Sequence, residues 1–148
     1  MKPFYSIFLI LVAQAAHAGG SNMQANGVFE VKLSAQSSSD FPHWGRQRIE
    51  KAFHGALEGQ GIGEMLAVRS DVKGSAGYVA LERVTATLDG RKGAFFLQHS
   101  GLMDKGTPTL KVSVVPDSGT GELKGLQGTM TIRIENGVHH YGFSYSLP

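Results

Sequence analysis

The sequence predicts an all-β fold, an eight-stranded antiparallel meander of a size that can close into a barrel. Three observations predict it. Runs rich in Val, Ile, Phe, Thr and Tyr dominate, whereas no 11-residue window carries the i, i+3, i+4, i+7 apolar pattern of an amphipathic helix. Turn residues separate those runs at short intervals, the strongest being Asn136-Gly137, because a type I′ hairpin turn needs φ > 0 at both central positions. The 20 glycines follow no period and mark turns, bulges and close contacts.

Taken in order, the first element is not part of the fold. Lys2, the apolar run Phe4 to Ala13 and the small-x-small site Ala16-His17-Ala18 form a secretory signal peptide over 1–18, too short to span a bilayer as a helix. Cleavage after Ala18 is expected to place the chain in the periplasm or outside the cell, with no membrane attachment. Residues 19–26 read as a flexible leader, and 27–148 as a single β-barrel domain.

The strands are expected at 27–35, 46–57, 62–71, 76–89, 92–102, 108–115, 129–135 and 138–147. In the first, Phe29, Val31 and Leu33 oppose Glu30 and Lys32. In the seventh, Met130, Ile132 and Ile134 oppose Thr131, Arg133 and Glu135. Glu58-Gly59-Gln60-Gly61, Asp89-Gly90-Arg91 and Asp104-Lys105-Gly106 have turn chemistry. Segment 36–45 reads as a polar loop carrying the only Trp, and 117–127 as a turn or one short helical turn. The three strands between 62 and 102 differ from the rest in being apolar on both faces: Tyr78, Ala80 and Val84 against Val79 and Leu81, then Phe95 and Leu97 against Phe96 and Leu102. A strand apolar on both sides needs cover on both sides, and the expected cover is a second subunit, hence a homo-oligomer.

Composition excludes several classes. With no cysteine there is no disulfide, thiolate metal site or Cys nucleophile. The formal charge of +2 falls by one with Lys2, and the charges are interspersed, so nucleic-acid binding has no electrostatic footprint.

The run Phe53-His54-Gly55-Ala-Leu57-Glu58-Gly59, then Gly63-Glu64-Met65-Leu66, Lys73 to Ala80 and Glu82-Arg83-Val84, resembles the bacterial domain of unknown function 3224 family. Leu97 to Gly101 and Val114 to Gly121 continue the resemblance in order, nearly to the end of the chain. It implies a closed eight-stranded barrel similar to that of allene oxide cyclases, which share with dirigent proteins a glycine turn like Gly119 to Gly128 here. It implies no activity, and no cyclase catalytic residue carries across.

Candidate chemistry therefore comes from single residues. Glu64 and Glu82 sit mid-strand among apolar neighbours, where a buried carboxyl can serve as acid or base; the competing role is a structural ion pair. His99 follows Phe95 and Leu97 on one face, so His99, Glu82 and Glu64 are the candidate catalytic set. His54, Tyr78, Phe95, Gln98, Tyr141 and Tyr145 are the candidate ligand-binding set, since alternating aromatics on the last strand could line a cavity or equally fill a core. His139-His140 point to opposite faces of a strand and cannot chelate together, and no metal-binding spacing occurs. The glycine runs lack dinucleotide and phosphate-loop spacing, so no cofactor is expected. The function expected is binding of a small apolar ligand in the barrel. The alternatives are a cofactor-free isomerase or cyclase using buried Glu and His, and an oligomeric structural or interaction protein.

Overall fold

The computed structural model describes residues 21–36 and 43–148. The expected signal peptide, residues 19 and 20 of the leader, and 37–42 of the expected loop lie outside the described residues. The elements are β1 (Met23–Ala35), β2 (Trp44–Gly55), β3 (Leu57–Arg69), β4 (Ala76–Leu88), β5 (Arg91–Asp104), β6 (Thr107–Val114), β7 (Thr120–Gly121), β8 (Gln127–Glu135) and β9 (Val138–Ser146). The eight long strands pair antiparallel in the ring β1-β2-β3-β4-β5-β6-β8-β9, and β9 pairs back onto β1. The fold is thus the predicted all-β, closed eight-stranded antiparallel barrel. The two-residue β7 continues the line of β6 beside Gly93 and Ala94 of β5.

Three hairpins turn as their sequences dictate. Asp89-Gly90, Lys105-Gly106 and Asn136-Gly137 all place both residues at positive φ, with 50° and 80° at Asn136 and Gly137. That is the backbone a tight turn needs to match the right-handed twist of its strands.

Three segments differ from expectation. Residues 23–26, expected in the leader, are strand, paired from Met23↔Tyr145 to Asn26↔Gly142. Trp44 and Gly45, expected in a loop, begin β2. Glu58 to Gly61, expected as a turn, lies inside β3; the reversal comes earlier, at Gly55 with φ 114°. The glycines there clear space instead of bending the chain: a Cβ on Gly61 would stand 1.9 Å from Glu82 Oε1 and 3.1 Å from Phe53. Segment 117–127 is the turn alternative of its expectation, with the short β7 inside it.

Parity along each strand decides what enters the barrel. Phe53 on β2, Leu57 on β3, Val84 and Leu88 on β4, Phe95 and Leu97 on β5 and Phe143 on β9 are all fully buried. Phe95 stacks on Phe143 at 5.9 Å, and Phe143 on Tyr145 at 5.3 Å. Leu123 and Leu126, carried by the turn after β7, plug this end of the barrel and are also fully buried. The opposite parity faces out, and there Val79, Leu81 and Leu102 are 54%, 58% and 65% exposed.

The plug is a load on stability that can be measured. Leu126→Ala should lower unfolding free energy by about 2–5 kcal/mol, the usual range for a buried Leu truncation, whereas Val138→Ala at the exposed start of β9 should change it by less than about 0.5 kcal/mol. Gly121→Val should exceed both. It forces a β-branched residue to φ 61° and places a Cβ 2.8 Å from the Lys92 carbonyl oxygen. Urea titrations of the three variants would check the order.

Candidate functional site

The barrel is filled at one end and open at the other, with a buried charged belt between. On the inner face of β2 the alternation Ile49, Lys51, Phe53 puts a lysine where apolar residues flank it, and Lys51 is only 8% exposed. On β4 the same alternation, Ala80, Glu82, Val84, puts a carboxylate inside at 0%. On β5, Leu97, His99 and Gly101 bring in an imidazole at 3%. Lys51 Nζ donates to Glu82 Oε2 at 2.7 Å, and His99 Nε2 meets the same oxygen at 2.9 Å. The Lys51 ammonium also lies over the rings of Phe29 and Phe53, 4.8 and 5.6 Å from their centroids.

The belt's electrostatics follow from this geometry. Burial alone pushes the Glu82 carboxyl up, but the His99 hydrogen bond, together with the charge and hydrogen bond of Lys51, outweighs it and leaves the group below its ordinary value. Glu82 is therefore an ionised carboxylate in the barrel interior. Its second oxygen, Oε1, is sealed from solvent against Gly61 and has no hydrogen-bond partner among the described residues. Such a group costs about 1–3 kcal/mol.

Beyond the belt, the ends of β1 to β6 surround a cavity of about 690 Å³. Leu33, Trp44, Met65, Tyr78, Met103 and Leu110 line it. Gln47 adds an amide, and Arg69 lies at the rim. Tyr78 packs its ring over the bare Cα of Gly101, where a Cβ would stand 2.1 Å from the ring. Burial first, and then the charge of Glu82, raise the Tyr78 hydroxyl above its ordinary value.

The sequence-derived candidates therefore separate. His99 and Glu82 meet in the interior, and Tyr78 lines the cavity. Glu64 does not join them: as an even-numbered residue of β3 it points outward, where Arg46 Nε donates to it at 3.0 Å. His54 and Gln98 are likewise on the outer face, and neither lines the barrel. His54 stands between Glu30 and Glu58 at 3.2 and 3.1 Å, and those carboxylates raise its pKa. Phe95, Tyr141 and Tyr145 are inside but belong to the filled end. The Tyr141 hydroxyl accepts from the Leu57 N–H at 2.9 Å and reaches the His54 and Leu57 carbonyls. The Tyr145 hydroxyl donates to Asp89, and burial followed by that carboxylate pushes it up to about 12. Their polar atoms are committed to the scaffold. Sequence reasoning missed Lys51, and the trace that could have found it is its place between Ile49 and Phe53 on an alternating strand.

The fold and site define a small closed antiparallel barrel with an apolar mouth over a buried ion pair. The chain belongs to the family described as protein of unknown function (DUF3224), whose model matches residues 25–145. A crystal structure of a protein with unknown function from that family, from Shewanella oneidensis MR-1, is similar with a TM-score of 0.81 and 47% sequence identity. The match covers 86% of this chain and 99% of that one. No curated protein matches the chain.

Removing one charge of the belt should be costly and removing both should not. Glu82→Gln strands the Lys51 ammonium and should lose about 3–5 kcal/mol, while a Lys51→Met, Glu82→Leu double variant should recover most of it. A carboxyl depressed by folding contributes stability that is complete above its ordinary value of 4.5 and is lost as pH falls through its folded value. Wild type should therefore weaken on acidification below about 4.5 more steeply than the double variant. Urea midpoints across that range test both statements.

Proposed function

We propose that this barrel binds a small apolar ligand in its open end. The observation that carries the reading is the 690 Å³ mouth cavity, lined mostly by aliphatic, thioether and aromatic side chains, with the Tyr78 hydroxyl, the Gln47 amide, His43, Thr109 and Arg69 as its polar groups. That is the usual makeup of a small-molecule site, apolar walls with few oriented polar groups. Trp44 is the chain's only tryptophan and stands on the cavity wall, so ligand entry has a built-in reporter. Titration with an apolar probe should change Trp44 fluorescence saturably, and Ala67→Phe, which fills the cavity, should weaken that response at least tenfold. A response that neither saturates nor depends on residue 67 would sink the reading.

We also infer export and self-association. The signal-peptide pattern over 1–18 supports the first. The outer face of β3 to β5 supports the second: Leu66, Val79, Leu81, Phe96 and Leu102 are between 41% and 65% exposed, and Leu66 and Val79 are cross-strand partners. A contiguous apolar patch of this kind marks an interaction site on a water-facing protein. Protein recovered from periplasmic extract should begin near Gly19 and scatter light as more than one chain, and Leu81→Glu should reduce it to a monomer. A mature chain that retains residues 1–18 refutes export, and a wild-type monomer refutes association.

A further inference from the structure

We propose that the belt beneath the cavity is a proton-transfer site, with His99 as the base and an enolisable ketone of apolar body as the substrate class. The proposal rests on the ligand-binding reading above and adds a reaction to it.

The argument begins with cost. Burying a Lys–Glu pair inside a barrel seldom stabilises it relative to apolar residues of the same volume. Here the fold also leaves Glu82 Oε1 without a partner and strips β3 of a side chain at Gly61 to admit it. What this arrangement secures is the state of His99. Glu82 Oε2 is an ionised acceptor, so His99 Nε2 must carry the hydrogen in the neutral ring, and the lone pair resides on Nδ1. Lys51 offsets the carboxylate charge and holds it in place. Nδ1 has no hydrogen bond among the described residues, and the residue keeps 3% exposure where Glu82 has none. A carboxylate that fixes the tautomer of a histidine and leaves the other nitrogen free is the arrangement of a general base.

Position selects the substrate. His99 is not itself a cavity-lining residue; it lies one inward step, about 7 Å along the strand, below Gly101 of the cavity wall. Imidazole can remove a carbon-bound proton only where a neighbouring electron-withdrawing group, a carbonyl being the commonest, activates it. The cavity supplies a donor for that carbonyl in the Tyr78 hydroxyl, which makes no hydrogen bond among the described residues. In the forward step Nδ1 takes a proton from the carbon next to the carbonyl. The C–H electron pair becomes the new C=C bond, and the carbonyl π pair moves onto oxygen under the Tyr78 O–H. Return of the proton from Nδ1–H to either end of the enolate regenerates the base. The sum is a shift of one hydrogen, with no redox partner and no leaving group.

The test uses the full-length mature protein and 2-decanone in deuterated buffer, with Trp44 fluorescence read alongside mass spectrometry of the ketone. The expected result is saturable binding and α-deuteration at least tenfold above the buffer rate. In His99→Gln and His99→Asn, whose amides can still donate to Glu82, Trp44 should still respond while deuteration returns to the buffer rate. Binding by wild type without deuteration above buffer overturns the proton-transfer role and leaves the binding reading standing. Failure of wild type to bind overturns both. Deuteration at the wild-type rate in either folded variant shows that His99 is not the base.

Discussion

Everything in this molecule follows from the narrowness of a closed eight-stranded ring. Each layer of its interior holds one short row of inward side chains, so the choice of residue at each inward position decides whether that layer is solid or hollow. At the plugged end the choices are Phe53, Leu57, Leu88, Phe95 and Phe143, and the two leucines of the turn after β7 complete the filling. At the other end they shrink, with Ala67, Ala76 and Gly101 on the neighbouring strands β3, β4 and β5, and a cavity remains. The ring itself is closed by β1 on β9, which is why residues 23–26 must be strand: they supply the partners of Gly142 to Tyr145.

The middle layer obeys the same constraint with charged groups in place of apolar ones. A lysine, a glutamate and a histidine share one carboxylate oxygen between two donors. They fit only because Gly61, on the neighbouring strand, presents no Cβ. The aromatic rings of Phe29 and Phe53 give the Lys51 ammonium a second contact surface beside the carboxylate. Packing and electrostatics are therefore one problem here, and the glycine on β3 is as much a part of the ion pair as its charged members.

Much of the fold was legible because strand parity and turn chemistry are local. Asn136-Gly137, Asp89-Gly90 and the alternation in 29–33 each specify their own structure. The candidate site was legible only in part, because parity tells which residues share a face but not which face is inside. On β3 and β4, apolar on both faces, Glu64 and Glu82 look alike, yet they stand on strands in opposite phase. One meets Arg46 at the surface and the other meets Lys51 in the interior. Gly59 and Gly61 misled for a related reason: a glycine serves a turn and a close approach equally well, and only the three-dimensional position of Glu82 separates them. Lys51 was hidden by the general rule that lysine faces water.

The aromatic last strand shows how a filled core can imitate a binding site in sequence. Tyr141, Phe143 and Tyr145 alternate as cavity-lining residues would, but both hydroxyls are bound within the fold, to the β2–β3 turn and to Asp89. A tyrosine whose hydroxyl is taken by backbone and carboxylate is a brace. Tyr78 has the same side chain and a hydroxyl that nothing in the described structure engages, on the one stretch of wall where the barrel is open. The distinction between scaffold and site in this protein thus lies in which polar atoms are left over after the fold has used what it needs. Among them are the Tyr78 hydroxyl and the Gln47 amide on the cavity wall, with His99 Nδ1 one inward step below.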